Sequence, residues 1–496
     1  MVFTSWQFFL ILPCVLLLYF IIPGSWRVCY LLAVSCLFYA CFHPVYLMVI
    51  LAVAGISWYG ALALEKRRMQ QRAAVSRPFR FYVTLCLLFL VLFKYTRFLL
   101  DNLKQLSGLF GGSFPALSFS LVMPVGISYY IFQAVSYLTD VSRGTSKAER
   151  NFLQYALYLS FFPKVISGPI ERADAFLPQI RNCHTWNLWD GARVRDGLVL
   201  MMWGYFEKLV IADRLAILTG EVFGDYAGYG SVELFVAAAA FYIQLYTDFD
   251  GYTNIARGLA KAMGFTLAEN FRAPFLSESI RDYWGRWHIS LSMWLRDYIY
   301  IPLGGNRAGT LRKYRNLLLT FLVSGLWHGA AWNYVLWGLV HGLYEVAEDI
   351  FRPWVKRLHD HFHTKTESFS YRLFRRAKCW LLVCLAYIFF KVPTAADGLR
   401  YLKRMVTKWN PWVLFDGSLY TLGITEKYMH VLFLALLLLF AVDRVKEKRH
   451  MEADVWLAEQ CVWFRWLVML GGIMAVIVFG AYGPAYDAEN FIYFNF

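Results

Sequence analysis

Two histidines in apolar surroundings are the side chains best suited to chemistry in this sequence. His328 lies in SGLWHGA, at the end of an apolar run with small residues on both sides, and His288 lies in RWHISL. The reference pKa of histidine, about 6.5, leaves a neutral imidazole at pH 7 that can act as a general base toward a hydroxyl nucleophile. A lone histidine in an apolar helix is more often a hydrogen-bonded packing residue, so the residues alone leave both interpretations open.

The remaining candidates for chemistry are weaker. His359, His361 and His363 alternate in a charged segment, which favours solvated side chains. The nine cysteines include no CxxC pair, and the chain contains no HExxH, so we expect no metal site. The sequence also lacks GxSxG, a Walker loop and a GxGxxG that leads from a strand into a helix.

The elements that must position these side chains are membrane helices. Hydrophobic residues make up 59% of the 496 residues and charged residues only 17%, well below the charged fraction of soluble domains. The apolar residues cluster in runs, several of them without any charge. The runs are Phe8–Ile22, Val28–Phe42, Tyr46–Leu64, Phe81–Phe93, Trp380–Phe390, Val431–Val442 and Trp466–Gly480. The sequence therefore predicts an all-α protein that crosses the lipid bilayer several times.

The net charge of +15 is explained by membrane orientation and does not indicate a nucleic-acid partner. Basic residues exceed acidic ones six to one in Glu65–Arg80, eight to two in Phe351–Lys378 and four to two in Asp443–His450. We expect these three loops to face the cytoplasm, together with a smaller cluster around Arg143. Counting spans between them places both termini on the extracytoplasmic side, and the first apolar run is expected to be a retained span, not a cleaved signal peptide.

The middle third of the chain does not fit a simple series of hairpins. Between about 150 and 350 the apolar segments are interrupted by prolines and charges, and a dense polar stretch runs from Glu269 to Asn306. Such groups are tolerated at membrane depth only when they are buried in protein or face water. Ordinary helices joined by a cytosolic loop would explain any one charge. Together they favour a partly wet internal chamber built from short and re-entrant helices.

Within this middle third, four stretches closely resemble the membrane-bound O-acyltransferase family, most strongly its bacterial branch of alginate and peptidoglycan O-acetyltransferase membrane subunits. Two further stretches support the match, which is strongest from about 121 to 345. The stretches are YTDFDGYTNIARG (246–258), ENFRAPF (269–275), YWGRWHISLSMWLRDYIYIPLGGNR (283–307), GLWHG (325–329), PVGISYYIFQ (124–133) and FFPKVISGPI (161–170).

The resemblance implies a ring of transmembrane helices around a central funnel that receives an acyl donor from the cytosol. His328 matches the catalytic histidine of the family, and His288 matches the second histidine usual in this branch. Four further residues match family motifs and could either contact substrate in the funnel or hold the chamber together. These residues are Asp248, Arg286, Asp297 and Asn306.

The last six residues, FIYFNF (491–496), could be an aromatic segment at the membrane interface. They also resemble the aromatic C-terminal hexapeptide of this branch, in which a tyrosine is implicated as a transient acyl carrier. That tyrosine is Tyr493 here. The predicted topology places it outside, where it could enter the funnel and meet a donor that His328 activates.

The resemblance implies a membrane O-acetyltransferase of the bacterial inner membrane. It would take acetyl from cytosolic acetyl-CoA, export it as a Tyr493 ester and supply an envelope polysaccharide through an extracytoplasmic SGNH-type acetyltransferase partner. The longest predicted outside loop, about 393–427, is too short to hold such a domain. A D-alanyl transferase of teichoic acids and a transporter without chemistry remain alternatives.

Four regions follow from this interpretation. We expect N-terminal transmembrane helices over 1–120, the catalytic core over 121–345, a basic cytoplasmic loop over 346–378, and C-terminal transmembrane helices with the aromatic tail over 379–496.

Overall fold

A computed structural model describes residues 2–70, 76–111, 122–307 and 309–482 of the chain. Within these residues all regular structure is helical, with twenty α-helices, several 3-10 or π-helical turns and no strand. A helix pairs its own backbone N–H and C=O groups, and the hydrocarbon core of a bilayer offers these groups no other hydrogen-bond partner. The predicted all-helical, multi-pass architecture is confirmed. The described residues form two compact units. The first unit contains the residues up to Met201 together with Ile255–Ala268. The second unit contains Met202–Asn254 together with the residues from Glu269 onward.

The first nine helices belong almost entirely to the first unit. They are α1 (Trp6–Ile21), α2 (Arg27–Ala40), α3 (Pro44–Met69), α4 (Ser76–Leu90), α5 (Thr96–Leu109), α6 (Ile127–Arg143), α7 (Phe152–Ser160), α8 (Ala173–Asn182) and α9 (Gly191–Tyr205). Helix α3 packs on α4, α6 and α7. A π-helical turn at Val91–Tyr95 joins α4 and α5 into one candidate span, Ser76–Leu109. Inside the unit, the Tyr155 hydroxyl donates to Ser57 Oγ at 2.7 Å.

The remaining helices build the second unit, except that α11 ends in the first. They are α10 (Asp213–Gly224), α11 (Ser231–Ala262), α12 (Ile280–Arg286), α13 (Ile289–Leu295), α14 (Thr310–His328), α15 (Trp332–His361), α16 (Phe369–Lys391), α17 (Ala395–Thr407), α18 (Glu426–Arg449), α19 (Ala453–Ala458) and α20 (Val462–Phe479). A π-helical turn at Phe206–Ala212 leads into α10. Helices α12 and α13, with seven residues each, are too short to cross a bilayer.

Five described helices are long and apolar enough to cross a membrane: α3, the α4–α5 helix, α11, α18 and α20. All but α11 were predicted from their apolar runs. Helix α11 contains acidic and polar residues that interrupt its apolar pattern. In the most apolar stretch of 18 residues, however, 72% of the residues of α11 are buried in protein, whereas none of those of α20 is. Burial against other helices therefore explains how α11 accommodates the polar side chains that concealed it in the sequence.

The basic segments expected as loops are largely helical. Asp443–His450 forms the last turns of α18, and its first residue is buried, with Tyr246 OH 3.2 Å from Asp443 Oδ1. Phe351–Lys378 forms the end of α15, a short connection and the start of α16. Lysines and arginines near a helix C-terminus interact favourably with the helix dipole, so a charge-rich segment need not be a loop.

Close backbone packing joins α14 and α15 into an antiparallel hairpin. Gly325 lies against the main-chain carbonyl of Tyr334, and Gly338 lies against the main-chain carbonyl of Phe321, with no room for a Cβ at either glycine. Small residues are what allow helices in a membrane to approach this closely. Since α14 ends at His328, this contact fixes the position of that histidine.

Substituting Gly338 with alanine is expected to destabilise the purified protein, because the new methyl group would overlap backbone atoms that cannot rotate away. Overpacking of this kind costs about 1–3 kcal/mol, so the midpoint of thermal unfolding in detergent should fall by a few degrees. Gly220→Ala in α10 is the matched control: nothing lies within 4 Å of the added Cβ, and its midpoint should stay constant or rise. Equal shifts for the two variants would contradict the close packing.

Candidate active site

His288 sits at a sharp reversal between the two short helices α12 and α13. Ser279 caps the start of α12, where its Oγ accepts a hydrogen bond from Asp282 N at 3.0 Å. His288 then adopts the left-handed backbone conformation, with φ of 42°, immediately before α13 begins at Ile289. Its side chain is fully buried. Left-handed φ is costly for a residue with a Cβ, and such strain is typical of functional sites.

His328 is the last residue of α14 and is 4% exposed. Gly329 follows it in an extended conformation and lies against the ring of Tyr334, which leaves no space for a larger residue. Three aromatic rings surround the imidazole in edge-on arrangements, with centroid distances of 5.0 Å to Trp327, 5.0 Å to Trp337 and 5.1 Å to Phe390.

The structure brings the two predicted histidines together. Their ring centroids are 6.4 Å apart, which is wider than a direct hydrogen bond between two imidazoles would require. Trp327 packs near both rings, and Phe249 of α11 closes the other side of His288 at 4.7 Å. Two imidazoles in an enclosure of aromatic rings can accept and return a proton with little competition from water.

Asn270 holds the His288 turn in place, although it was not among the predicted site residues. Its main-chain carbonyl accepts from Ile289 N at 2.9 Å, and its Oδ1 accepts from Ser290 Oγ at 2.6 Å. Its side-chain amide also lies 3.5 Å from Thr253 Oγ1 on α11. Asn270 lies inside the ENFRAPF stretch, so its signal in the sequence was its place among the residues that carry the resemblance.

A cavity of about 650 Å³ is bounded by residues of α12, α13, α14 and α15, and neither histidine is among its lining residues. Its lining includes Ile289, which follows His288, and Ser324, which lies one helical turn before His328. Arg281, Arg296 and Lys313 contribute cationic side chains to the same lining, and Glu345 contributes a carboxylate.

Asn306 also lines this cavity and is solvent-exposed. The residues before it form a turn, with left-handed φ of 108° at Gly304 and 55° at Gly305. A second residue that the sequence analysis missed fixes this turn: Asn316 Nδ2 donates to the carbonyls of Leu303 at 3.1 Å and Gly305 at 3.0 Å. Asn306 therefore reaches the cavity from a turn that α14 anchors.

Asp248 belongs to a buried ion cluster. Lys208 Nζ lies 2.7 Å from Asp248 Oδ1 and 2.8 Å from Asp213 Oδ1, and all three side chains are no more than 3% exposed. The cluster joins α11 to α10 and to the π-helical turn before it. Asp248 immediately precedes Phe249, the residue that contacts His288. The contact of Asp248 with Lys208 holds helices together.

Arg286 and Asp297 are also engaged in ion pairs. Arg286 Nε donates to Asp282 at 2.7 Å, while its two terminal nitrogens bind the Glu447 carboxylate at 2.7 and 3.0 Å. This bidentate pair ties α12 to α18. Asp297 accepts from Arg296 Nε at 2.8 Å in a more exposed pair.

Comparison with known proteins identifies the fold and the reaction class. A model of the membrane-bound O-acyltransferase family matches residues 34–390. The chain belongs to this family. It is therefore an acyltransferase, and the histidine pair lies inside the matched region.

Three relatives show where the chain falls within the family. It is 35% identical to a probable alginate O-acetylase of Azotobacter vinelandii over 84% of this chain and 80% of the relative. It is 32% identical to a peptidoglycan O-acetyltransferase of Helicobacter pylori over 63% of this chain and 62% of the relative. Identity to a teichoic acid D-alanyltransferase of Bacillus subtilis is 28%, over 48% of this chain and 62% of the relative.

Two further expectations concern the ligands of this acyltransferase. Tyr493 lies outside the described residues, so its role stays a prediction. Among the described residues, no group of three or more His, Cys, Asp or Glu side chains is arranged to hold a metal ion.

Asp248→Asn should destabilise the acyltransferase strongly, because it removes one of the two carboxylates that contact the buried ammonium of Lys208. Breaking a buried pair costs about 3–5 kcal/mol, and the expected result is a large fall in the thermal midpoint. Asp297→Asn is the matched control, since its partially exposed pair contributes under about 1 kcal/mol. An unchanged midpoint with lower activity per folded molecule would instead place Asp248 on the substrate.

Proposed function

We propose that this acyltransferase takes acetyl from cytosolic acetyl-CoA and exports it as an ester of Tyr493 for O-acetylation of a cell-envelope polysaccharide. The observation that carries the proposal is the pair of buried imidazoles, 6.4 Å apart between ring centroids, inside an aromatic enclosure. Relatives named as alginate and peptidoglycan O-acetyltransferases support acetyl as the acyl group.

In the proposed transfer, His328 removes the phenolic proton of Tyr493. The phenolate oxygen attacks the acetyl carbonyl carbon, a C–O bond forms, and the C–S bond of the thioester breaks. The CoA thiolate leaves and recovers the proton from the His328 imidazolium. His288 faces the same space and positions the reacting groups or shares the proton. The acetyl group crosses the membrane while CoA stays on the cytoplasmic side.

The 650 Å³ cavity is the proposed donor site. Coenzyme A carries several phosphate charges, and in binding it the cations Arg281, Arg296 and Lys313 would exchange their carboxylate partners, Asp349 and Asp297, for phosphate oxygens. Trp284 of α12 and Ser324 of α14 line the cavity, and each lies four residues before a histidine in the chain. Asn306 is placed to bind a polar part of the donor.

The proposed orientation follows from the basic ends of α3, α15, α16 and α18, which are expected to face the cytoplasm of a bacterial inner membrane. Both termini are then extracytoplasmic, so Tyr493 approaches from outside. Final transfer to the polysaccharide is assigned to a separate SGNH-type partner. Between α16 and α18 the described segment holds only α17 and two short 3-10 turns, which is too little for a second catalytic domain.

A D-alanyl transferase is the second candidate, because it shares the family and the D-alanyltransferase relative matches 48% of this chain. Two observations favour acetyl transfer. The alginate relative matches a larger share of the chain at higher identity, and the aromatic hexapeptide is fused to this chain. Family membership favours either enzyme over a transporter without chemistry.

The relay predicts that radiolabelled acetyl-CoA labels Tyr493. Cleavage before Asp487 releases the peptide of residues 487–496, in which Tyr493 is the only tyrosine. Mass spectrometry of this peptide should show an acetyl ester in the wild type. The label should disappear in Tyr493→Phe and fall at least about a hundredfold in His328→Ala, since a general base typically contributes that much.

Two matched controls make this result specific. Tyr486→Phe removes a tyrosine seven residues away and should retain the label, and His361→Ala removes an exposed imidazole and should label at the wild-type rate. Acetyl transfer to polysaccharide at the wild-type rate in membranes that contain Tyr493→Phe would contradict the relay. Label from a D-alanyl carrier protein, with none from acetyl-CoA, would support the second candidate.

The proposed partner implies that two proteins carry out the two transfer steps. Purified acyltransferase with acetyl-CoA should form the Tyr493 ester and stop after one equivalent, and polysaccharide acetylation should begin only when the SGNH-type protein is added. Release of acetylated polysaccharide can be followed by mass spectrometry. Full-rate acetylation by the acyltransferase alone would remove the need for a partner.

A further inference from the structure

A second, larger cavity lies in the hairpin of α15 and α16, away from both histidines. It encloses about 1010 Å³ and is bounded by the C-terminal half of α15, the N-terminal half of α16 and the residues that lead into α12. His359 Nε2 and Tyr371 OH, 2.6 Å apart, link the two helices near the tip of the hairpin. We refer to this cavity as the hairpin groove.

The charge of the hairpin groove is strongly positive. Five Lys or Arg side chains line it against two carboxylates, those of Glu278 and Glu348. The five are Arg281, Arg352, Lys356, Arg375 and Lys378. An anionic ligand would therefore be favoured over a neutral or cationic one.

Both carboxylates are already engaged by the protein. Glu278 is bound by Arg372 at 2.7 Å, Arg375 at 3.2 Å and Arg376 at 3.1 Å. Burial acts to raise the pKa of Glu278, but the hydrogen bond from Arg372 and the neighbouring guanidinium charges hold that pKa below its usual range.

Glu348 accepts from the main-chain N–H of Ile280 at 3.1 Å, at the start of α12. This amide is a neutral donor, so Glu348 keeps its negative charge, but the five cations of the groove still outnumber the two carboxylates.

Lys356 on α15 and Lys378 on α16 are the cations available to a ligand. Both are exposed, and neither forms a hydrogen bond or ion pair with any residue in the described part of the chain. They belong to the two facing helices, so a single anionic group within the groove could be approached from both sides.

The same groove carries large exposed apolar side chains. Phe351 is 60% exposed and Phe374 is 61% exposed, and Val355 and Phe362 are also exposed. Leu382 continues the lining into the apolar part of α16. A water-soluble anion would leave these side chains in water, whereas a ligand with hydrocarbon chains would cover them.

We propose that the hairpin groove binds an anionic phospholipid of the cytoplasmic leaflet. The phosphate lies between Lys356 and Lys378, and the acyl chains lie along Phe351, Phe374 and Leu382. Basic pockets between membrane helices on the cytoplasmic side suit acidic lipid headgroups, and the predicted orientation places this hairpin on that side. The site is distinct from the proposed donor cavity, with which it shares only Arg281 among its basic residues.

The full-length protein, purified and stripped of lipid in detergent, can be titrated with phosphatidylglycerol or phosphatidylcholine and followed by native mass spectrometry. Phosphatidylglycerol should form a saturable one-to-one complex at concentrations where phosphatidylcholine does not. Lys356→Gln combined with Lys378→Gln should weaken this complex at least about tenfold, because each cation near the headgroup contributes to binding. Size-exclusion profiles and thermal midpoints of the variants should match the wild type, since both lysines are exposed.

The matched control is Arg357→Gln combined with Lys365→Gln. It removes the same charge from the same hairpin at exposed residues that do not line the groove, and the complex should persist. Equal losses in the two double variants would overturn the site in favour of a diffuse attraction to basic helix ends. Glycerol 3-phosphate or CoA at millimolar concentration should not displace the lipid, and displacement would overturn the proposal in favour of a soluble phosphate ligand.

Discussion

The buried contact of Lys208 with Asp213 and Asp248 is the interaction on which the candidate site depends. Charges at this depth are tolerated only where opposite charges lie in contact, and Lys208 contacts both aspartates. The contact fixes the middle of α11 beside the π-helical turn at Phe206–Ala212, and α11 in turn supplies Phe249 and Thr253. Phe249 packs on His288, while Thr253 meets Asn270. The position of the imidazole thus depends on charges two contacts away.

The second constraint is the close approach of α14 and α15. Hydrophobic residues face both lipid and protein in a membrane, so hydrophobicity alone does not bring two helices together. Glycines at 325 and 338 let the backbones touch, and the end of α14 is held with little freedom. His328 is the residue at that end. One histidine is therefore positioned by backbone contact and the other by a network of hydrogen bonds around Asn270.

Much of the helical framework could be predicted from the sequence, because apolar runs of sufficient length have few alternatives in a bilayer. The histidine pair could be predicted as well, although only through the resemblance, since composition left His288 and His328 open to a packing role. Contacts between residues far apart along the chain could not be predicted from the sequence. Nothing in the local pattern indicates that Arg286 binds Glu447, 161 residues later. Hydrogen bonds of single amides, such as Asn316 with Leu303, leave no periodicity to detect.

The left-handed backbone at His288 has a consequence for how this position can change. Glycine would adopt a φ of 42° without a steric penalty, and it would relieve the strain that any side chain with a Cβ imposes there. It would also delete the imidazole. Because the ring is fully buried against Phe249 and Trp327, its loss would leave a cavity, and the packing of the imidazole offsets the strain of the backbone. A substitution that keeps the volume of the ring would therefore retain the strain, and one that relieves the strain would lose the packing.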